Sequence, residues 1–310
     1  MTTLGPGREF DAIRALVRGW GRSASGIGDD AALLDVPRGQ RLVVSTDTSV
    51  EEVHFRRAWL SPDEIGWRAT MAALSDLAAM GASPLGVLVA LSLPDDRRSE
   101  LAALGHGIGA AVHECGTVIV GGDTTRAETL SLTVTVLGTT ATPLERRGAR
   151  PGDALWVTGV LGGPGRALAA WQQGRVPAAA DRARFARPVA RLAAGRWLAA
   201  HGATAAIDLS DGLASDAAHL AHASGVRVHI ALAQLPCVAG ARPEEAVRSG
   251  EEYELLVAAP AALDPRAFVS ATDLPLTRIG HIEAGPPEVM TVDASDRRVE
   301  IGGGYDHFSA

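Results

Sequence analysis

Carboxylates recur in this sequence where short apolar runs end. Leu42-Val43-Val44-Ser45-Thr46-Asp47 carries an apolar run into a hydroxyl pair and then an acid. The same grammar appears at Val118-Ile119-Val120-Gly121-Gly122-Asp123 and at Ala205-Ala206-Ile207-Asp208-Leu209-Ser210-Asp211. Gly28-Asp29-Asp30 precedes the apolar Ala31-Ala32-Leu33-Leu34, and Asp76 lies inside a helical pattern. Short β-branched apolar runs predict buried strands. An acid at the point where such a strand leaves its sheet stands where open α/β sheets place ligands. The acids are therefore expected to converge on divalent metal and a nucleoside triphosphate.

Each cluster also has a plainer reading. Gly26-Ile27-Gly28-Asp29-Asp30 fits a solvated turn as well as a ligand loop, since Gly and Asp are common turn formers. Asp76 shares a helical face with Ala69, Ala72, Ala73 and Met80. An ionised acid there needs either a cation or a buried arginine partner. Beside Asp123, the pair Gly121-Gly122 allows close backbone approach to a phosphate, and Thr124, Thr125 and Arg126 can contact one. Asp208, Ser210 and Asp211 surround a helix start, where N–H groups favour anions and an acid pair implies a bridging cation. His54, alone in its segment, reads as structural or exposed. Gly159-Val160-Leu161-Gly162-Gly163-Pro164-Gly165 lacks the Gly-Lys-Ser/Thr ending of a phosphate loop and reads as a structural turn.

The elements that would carry these residues follow from periodicity. Residues 8–20 are amphipathic through Phe10, Ile13, Leu16, Val17 and Trp20. Ser61-Pro62-Asp63-Glu64 is a capping box with proline in the first turn, and predicts a helix running to Met80 and stopping at Gly81. Strands are expected over 85–93, 130–137, 154–158 and 205–208, and near 226–230, 253–258, 276–282 and 289–293. Helices are expected over 99–114, near 188–200, and from Asp211-Gly212 to about Ser224. Turn-rich residues 140–153 divide a first domain, 1–140, from a second, 150–310.

Composition bounds the chemistry. A chain of 310 residues supports two domains. A net charge of −7 argues against nucleic acid or an anionic membrane as partner. No run approaches a membrane span, and the N-terminus lacks a signal pattern, so a cytoplasmic location is expected. Cys115 and Cys237 fit no metal or redox spacing and read as buried free thiols. The sequence contains no lysine. That removes Walker-type loops, protein-kinase sites and Schiff-base chemistry together, leaving arginine, backbone N–H groups and metal to handle phosphate.

Taken in order, these motifs resemble those of the thiamine-monophosphate kinase family. The resemblance rests on Gly26–Ala31, Ser45-Thr46-Asp47, His54-Phe55, Leu74–Gly81 and Gly121–Arg126, and further on Arg150-Pro151-Gly152-Asp153, Ile207–Leu213 and Gly304-Tyr305-Asp306-His307-Phe308. It implies an aminoimidazole-ribonucleotide synthetase-like fold, α+β with α/β: a ferredoxin-like N-terminal domain that binds ATP and magnesium and dimerises by sheet pairing, and an α/β C-terminal domain that completes the site. It also implies ATP-dependent phosphorylation of thiamine monophosphate to the diphosphate. Asp30, Ser45, Thr46, Asp47, Asp76, Asp123, Asp208 and Asp211 fall where the family binds several magnesium ions; of these, Asp47, Asp76, Asp123 and Asp211 carry catalysis. Gly122, Asp123, Arg146 and Ser210 fall where it contacts ATP, and His54, Glu251 and Tyr305 where it contacts thiamine monophosphate. Two departures stand out: Glu252 replaces the usual Asp after Glu251, and Glu52 replaces a common glycine. A ligase-like relative that activates an amide or carbonyl oxygen, and a silent nucleotide-binding protein, are the alternatives.

Overall fold

The structure, a computed structural model, describes residues 8–28 and 30–301. The chain forms two compact units, one of residues up to Leu77 with Ser83–Ala141, the other of Ala78–Ala82 with the residues from Thr142 onward.

The first unit contains α1 (Arg8–Trp20), β1 (Arg41–Val50), most of α2 (Pro62–Ala79), β2 (Ser83–Leu93), α3 (Leu101–Glu114), β3 (Ile119–Arg126) and β4 (Ser131–Thr140). Its sheet runs β1-β4-β2-β3, with β2 and β3 parallel and the other pairs antiparallel. The start of α2 forms as the sequence predicts: the Ser61 N–H donates to the Glu64 carboxylate at 2.9 Å, and the Glu64 N–H donates to Ser61 Oγ at 3.3 Å. Three glycines, Gly105, Gly107 and Gly109, weaken α3 intrinsically and are used in packing. A side chain at Gly105 would strike Leu16 of α1, and one at Gly107 would strike the Asp63 carbonyl of α2. Trp20 Nε1 donates to the Gly105 carbonyl at 2.8 Å, so α1 lies directly on that glycine.

The second unit contains β5 (Ala154–Thr158), α4 (Gly163–Gln172), α5 (Ala179–Ala186), α6 (Leu192–Ala200), β6 (Ala205–Asp208), α7 (Leu213–Ser224), β7 (Arg227–Ala231), α8 (Pro243–Ala246), β8 (Leu255–Ala259), α9 (Pro265–Thr272), β9 (Leu276–Glu283) and β10 (Glu288–Val292). Its sheet runs β10-β7-β9-β5-β8-β6, antiparallel apart from β10 with β7. Its core gathers Leu155 and Val157 of β5, Ile207 of β6, Leu256 of β8 and the inward face of α7 through Leu213, Ala217 and Leu220.

Two strands run further than the sequence predicts. Asp47 does not stand where β1 leaves its sheet: it is paired with Val134, and β1 continues to Val50. Asp123 likewise lies within β3, which runs on to Arg126 against Leu93. In both cases hydroxylated and β-branched residues beyond the acid keep pairing with a long neighbouring strand. Asp208, by contrast, ends β6 as expected. Helix α5 was not anticipated, because its short Ala- and Arg-rich stretch has no apolar period. Cys115 and Cys237 are free, as expected, but half-buried rather than buried.

Candidate active site

In the first unit, pleat decides which predicted residues meet. Ser45 and Asp47 sit opposite Val136 and Val134, both fully buried, on the face that α2 covers. There Ser45 Oγ donates to Asp76 Oδ2 at 2.5 Å, joining strand and helix. Thr46 lies on the other face, where its hydroxyl pairs with Thr135 at 2.9 Å. By register Asp123 aligns with Ala90, and Ala90 with Thr133, which faces Thr48 on that same opposite side. The sheet therefore brings Ser45, Asp47 and Asp76 to one face and separates them from Thr46 and Asp123. A side chain at Gly122 would run into the Val89 carbonyl, so this glycine is required by β2 itself. Asp30 is exposed in a bend.

His54 is fixed by its own turn. The Val50 N–H donates to His54 Nδ1 at 3.1 Å, so the neutral ring carries its proton on Nε2. Glu52, where the family resemblance leads one to expect glycine, has φ 67°, and its N–H donates to the Phe55 carbonyl at 2.8 Å. A left-handed turn explains why glycine suits this position.

In the second unit, two loops dock together. The turn Gly250–Tyr253 hydrogen-bonds through its backbone to the segment after β6. The Glu251 N–H donates to the Ser210 carbonyl at 2.7 Å, and the Tyr253 N–H to the Leu209 carbonyl at 2.9 Å. A side chain at Gly250 would meet the Ser210 carbonyl at 2.7 Å, so only glycine permits this approach. Glu251 is thereby held beside the Asp208–Asp211 loop, and its carboxylate accepts the Tyr253 hydroxyl.

An acid that sequence reasoning missed completes this corner. Asp216, in the first turn of α7, accepts from the Gly212 N–H at 3.1 Å and the Asp211 N–H at 3.3 Å. Burial, then the charges of Asp208 and Asp211, push its carboxyl up to about 8, although the two N–H groups pull the other way. Its signal was an acid in the first turn of a helix that opens on Asp-Gly.

Other expectations separate. The Arg146 carbonyl accepts from Ser224 Oγ at 2.6 Å, at the far end of α7 from Asp211. Twelve helical residues rise about 18 Å, so the Arg146 backbone and Ser210 lie toward opposite ends of α7. Asp153 serves its own turn, accepting from the Arg150 N–H at 2.9 Å and Thr204 Oγ1 at 2.6 Å. The glycine-rich turn before α4 uses its N–H groups internally: Gly162 donates to Glu252 at 2.5 Å and Gly165 to Ser249 at 3.0 Å. Those donors are engaged by side chains of this chain rather than offered to a phosphate. Tyr305 lies outside the described residues. Among the described residues, no group of three or more His, Cys, Asp or Glu side chains is arranged to hold a metal ion.

Residues 28–140 match the model of the AIR synthase related protein, N-terminal domain, and residues 150–293 that of the C-terminal domain. The chain is 37% identical to the thiamine-monophosphate kinase of Escherichia coli K12 over 303 residues, covering 92% of each. The crystal structure of thiamine-monophosphate kinase from Stenotrophomonas maltophilia K279a superposes with a TM-score of 0.81 at 38% identity, covering 92% of this chain and 96% of that one. AaThiL complexed with AMPPCP and TMP superposes with a TM-score of 0.78 at 31% identity, covering 97% of both chains.

Proposed function

The chain belongs to the thiamine-monophosphate kinase family, and from that premise we propose that it transfers the γ-phosphoryl group of ATP to the phosphate of thiamine monophosphate, giving thiamine diphosphate and ADP. The observation that carries this reading is likeness over nearly the whole chain to AaThiL, whose structure holds AMPPCP and TMP together. The acceptor oxygen of a phosphate monoester is already acidic, so no strong general base is needed. Positioning and charge neutralisation carry the reaction, and transfer is direct, with no phosphoenzyme.

Several magnesium ions fit the donors present. Magnesium is held by one or two carboxylates together with substrate phosphates rather than by a full protein cage. Ser45, Asp47 and Asp76 in the first unit, and Asp208 and Asp211 in the second, are hard oxygen donors of that kind. The push that Asp208 and Asp211 exert on Asp216 marks the second group as crowded with negative charge. Bound magnesium would neutralise the anions that transfer brings together. Asp76 and Asp47 would orient it from one face of β1, Ser210 would bond the nucleotide, and Glu251 and His54 would contact the acceptor.

Phosphorus NMR tests the reaction. The expected result is a pair of coupled doublets from thiamine diphosphate, growing in step with ADP. Stoichiometric orthophosphate without those doublets would overturn the kinase reading in favour of ligase-like activation of a carbonyl oxygen.

We place the enzyme in the cytoplasm as a homodimer. No described helix is long and apolar enough to cross a membrane, and the free thiols suit a reducing compartment. The face of β1 opposite Asp47 leaves Leu42 47% and Val44 55% exposed, an apolar strip suited to a second copy. Val44→Asp is expected to convert dimer to monomer in sedimentation velocity; an unchanged dimer would remove this face from the interface.

A further inference from the structure

Glu252 is one of the two departures from the expected pattern, and the fold turns it inward. It is 5% exposed between two residues in the left-handed region, Glu251 at φ 62° and Tyr253 at φ 51°. Side chains other than glycine seldom adopt that conformation, so the surroundings must impose it. Part of the imposition is the backbone docking on Leu209 and Ser210. The rest runs through the Glu252 carboxylate. Its Oε1 accepts from the Gly162 N–H at 2.5 Å and from Ser249 Oγ at 2.5 Å. Its Oε2 has no hydrogen-bond partner among the described residues and stands 3.6 Å from Arg184 Nη2.

The charged and titratable groups around it come from every neighbouring element. Arg184 reaches in from α5, where it also lies 3.6 Å from Glu254. Glu254 is held by Arg191 from the segment before α6. Cys237, which pairs with Leu161 in an isolated bridge, has its thiol pushed up by burial first and then by the charges of Glu244 and Glu252. Glu251 and Tyr253 flank it and hydrogen-bond to one another.

We infer that Glu252 is a positioning residue for the acceptor substrate: its carboxylate pins the Gly250–Tyr253 turn to the glycine-rich turn and thereby sets where Glu251 is presented. This rests on the reading that Glu251 contacts thiamine monophosphate. Burial raises the Glu252 carboxyl to about 7, despite the opposing pull of Ser249, the Gly162 N–H and Arg184. The pin therefore changes charge across neutral pH. Ionised, it makes charge-assisted hydrogen bonds and attracts Arg184; protonated, it loses both advantages. Stability runs the other way. A raised folded pKa contributes stability below the unfolded carboxylate range, and that contribution is lost as pH rises through about 7. Acceptor binding should thus improve over the same window in which this group's contribution to stability declines, which a purely structural role would not produce.

The test is steady-state kinetics on the full chain and Glu252→Gln, with thiamine monophosphate and ATP varied separately. The acceptor phosphate itself titrates near pH 6, and the variant-to-native ratio at each pH cancels that titration. The KM ratio for thiamine monophosphate should be about tenfold at pH ~8 and approach one below pH ~6.5, with the KM for ATP changed less than about twofold. A ratio that does not vary with pH, or equal shifts in both KM values, overturns the inference. If Glu252→Gln does not fold, Ser249→Ala serves. It removes a donor that favours the ionised form, so the inflection in the acceptor KM should move to higher pH; an unmoved inflection overturns the inference. Glu251→Gln separates the two levels. A raised acceptor KM at every pH supports the underlying contact. An unchanged one removes the contact and the inference together, while thiamine diphosphate formation would still stand.

Discussion

Asp76→Asn is expected to lower kcat/KM for phosphoryl transfer by about a thousandfold, with kcat falling in parallel and the melting temperature holding within a few degrees. Asparagine keeps the size of aspartate and an oxygen that can accept from Ser45 Oγ, so the strand-to-helix link seen at 2.5 Å survives. What disappears is the charge, and charge is what a divalent cation bound by few protein ligands depends on. Ser45→Ala makes the complementary change: it deletes the hydrogen bond and one neutral oxygen donor but keeps the carboxylate charges of Asp76 and Asp47, and should cost only about tenfold. If Asp76→Asn stays near native activity while Ser45→Ala loses most of it, Asp76 acts through the hydrogen bond and not through its charge. Calorimetric titration with magnesium in the presence of a non-hydrolysable ATP analogue gives a second readout, in which Asp76→Asn should weaken the metal-dependent heat and Ser45→Ala should largely retain it.

The sequence made some of this arrangement readable and hid the rest for identifiable reasons. Where local chemistry decides, the reading was close. The Ser61–Glu64 capping box started α2, β5 and β6 matched residue for residue, and Gly81, at φ 63°, stopped the helix. Asp76 could be placed on a packed face by counting alone. Face assignment in strands was also available: Thr46, between Ser45 and Asp47, must point away from both, and the Thr46–Thr135 pair shows it. Strand length was not available, because whether β1 continues past Asp47 depends on how far β4 extends beside it. Nor was the anchoring of the Arg146 backbone at the Ser224 end of α7, which is set by tertiary packing. The acids Glu251, Glu252 and Glu254 form a run that composition would place at the surface. Only tertiary contacts show that Glu252 and Glu254 are turned into the protein, at 5% and 0% exposure, while Glu251 is half-buried.

Glu254 carries the largest stability effect expected in the second unit. Its carboxylate is wholly buried and accepts from Arg191 Nη2 at 2.6 Å, Arg191 Nε at 3.0 Å and Thr158 Oγ1 at 2.7 Å. The forked guanidinium contact satisfies both oxygens with fixed geometry, which is what a buried ion pair needs to offset desolvation. Gly159, at φ 64°, lies directly against this carboxylate, and any side chain there would displace it. The pair therefore ties the end of β5, the start of β8 and the segment before α6. Glu254→Ala leaves the Arg191 charge without its partner and opens a cavity, and should cost about 3–5 kcal/mol. For a unit of this size that corresponds to a fall in melting temperature of roughly 10 °C. Arg191→Met alone leaves the buried Glu254 carboxylate only the Thr158 hydroxyl and the more distant Arg184 charge, and should also be strongly destabilising. The double variant Arg191→Met with Glu254→Met removes both charges and should lose clearly less than the sum of the single changes. Thermal and urea melts of the three variants measure this directly. Additive losses would mean that Arg191 and Glu254 stabilise the unit through separate contacts, with Thr158 and the Gly159 turn, rather than the pair itself, setting the geometry behind Glu252.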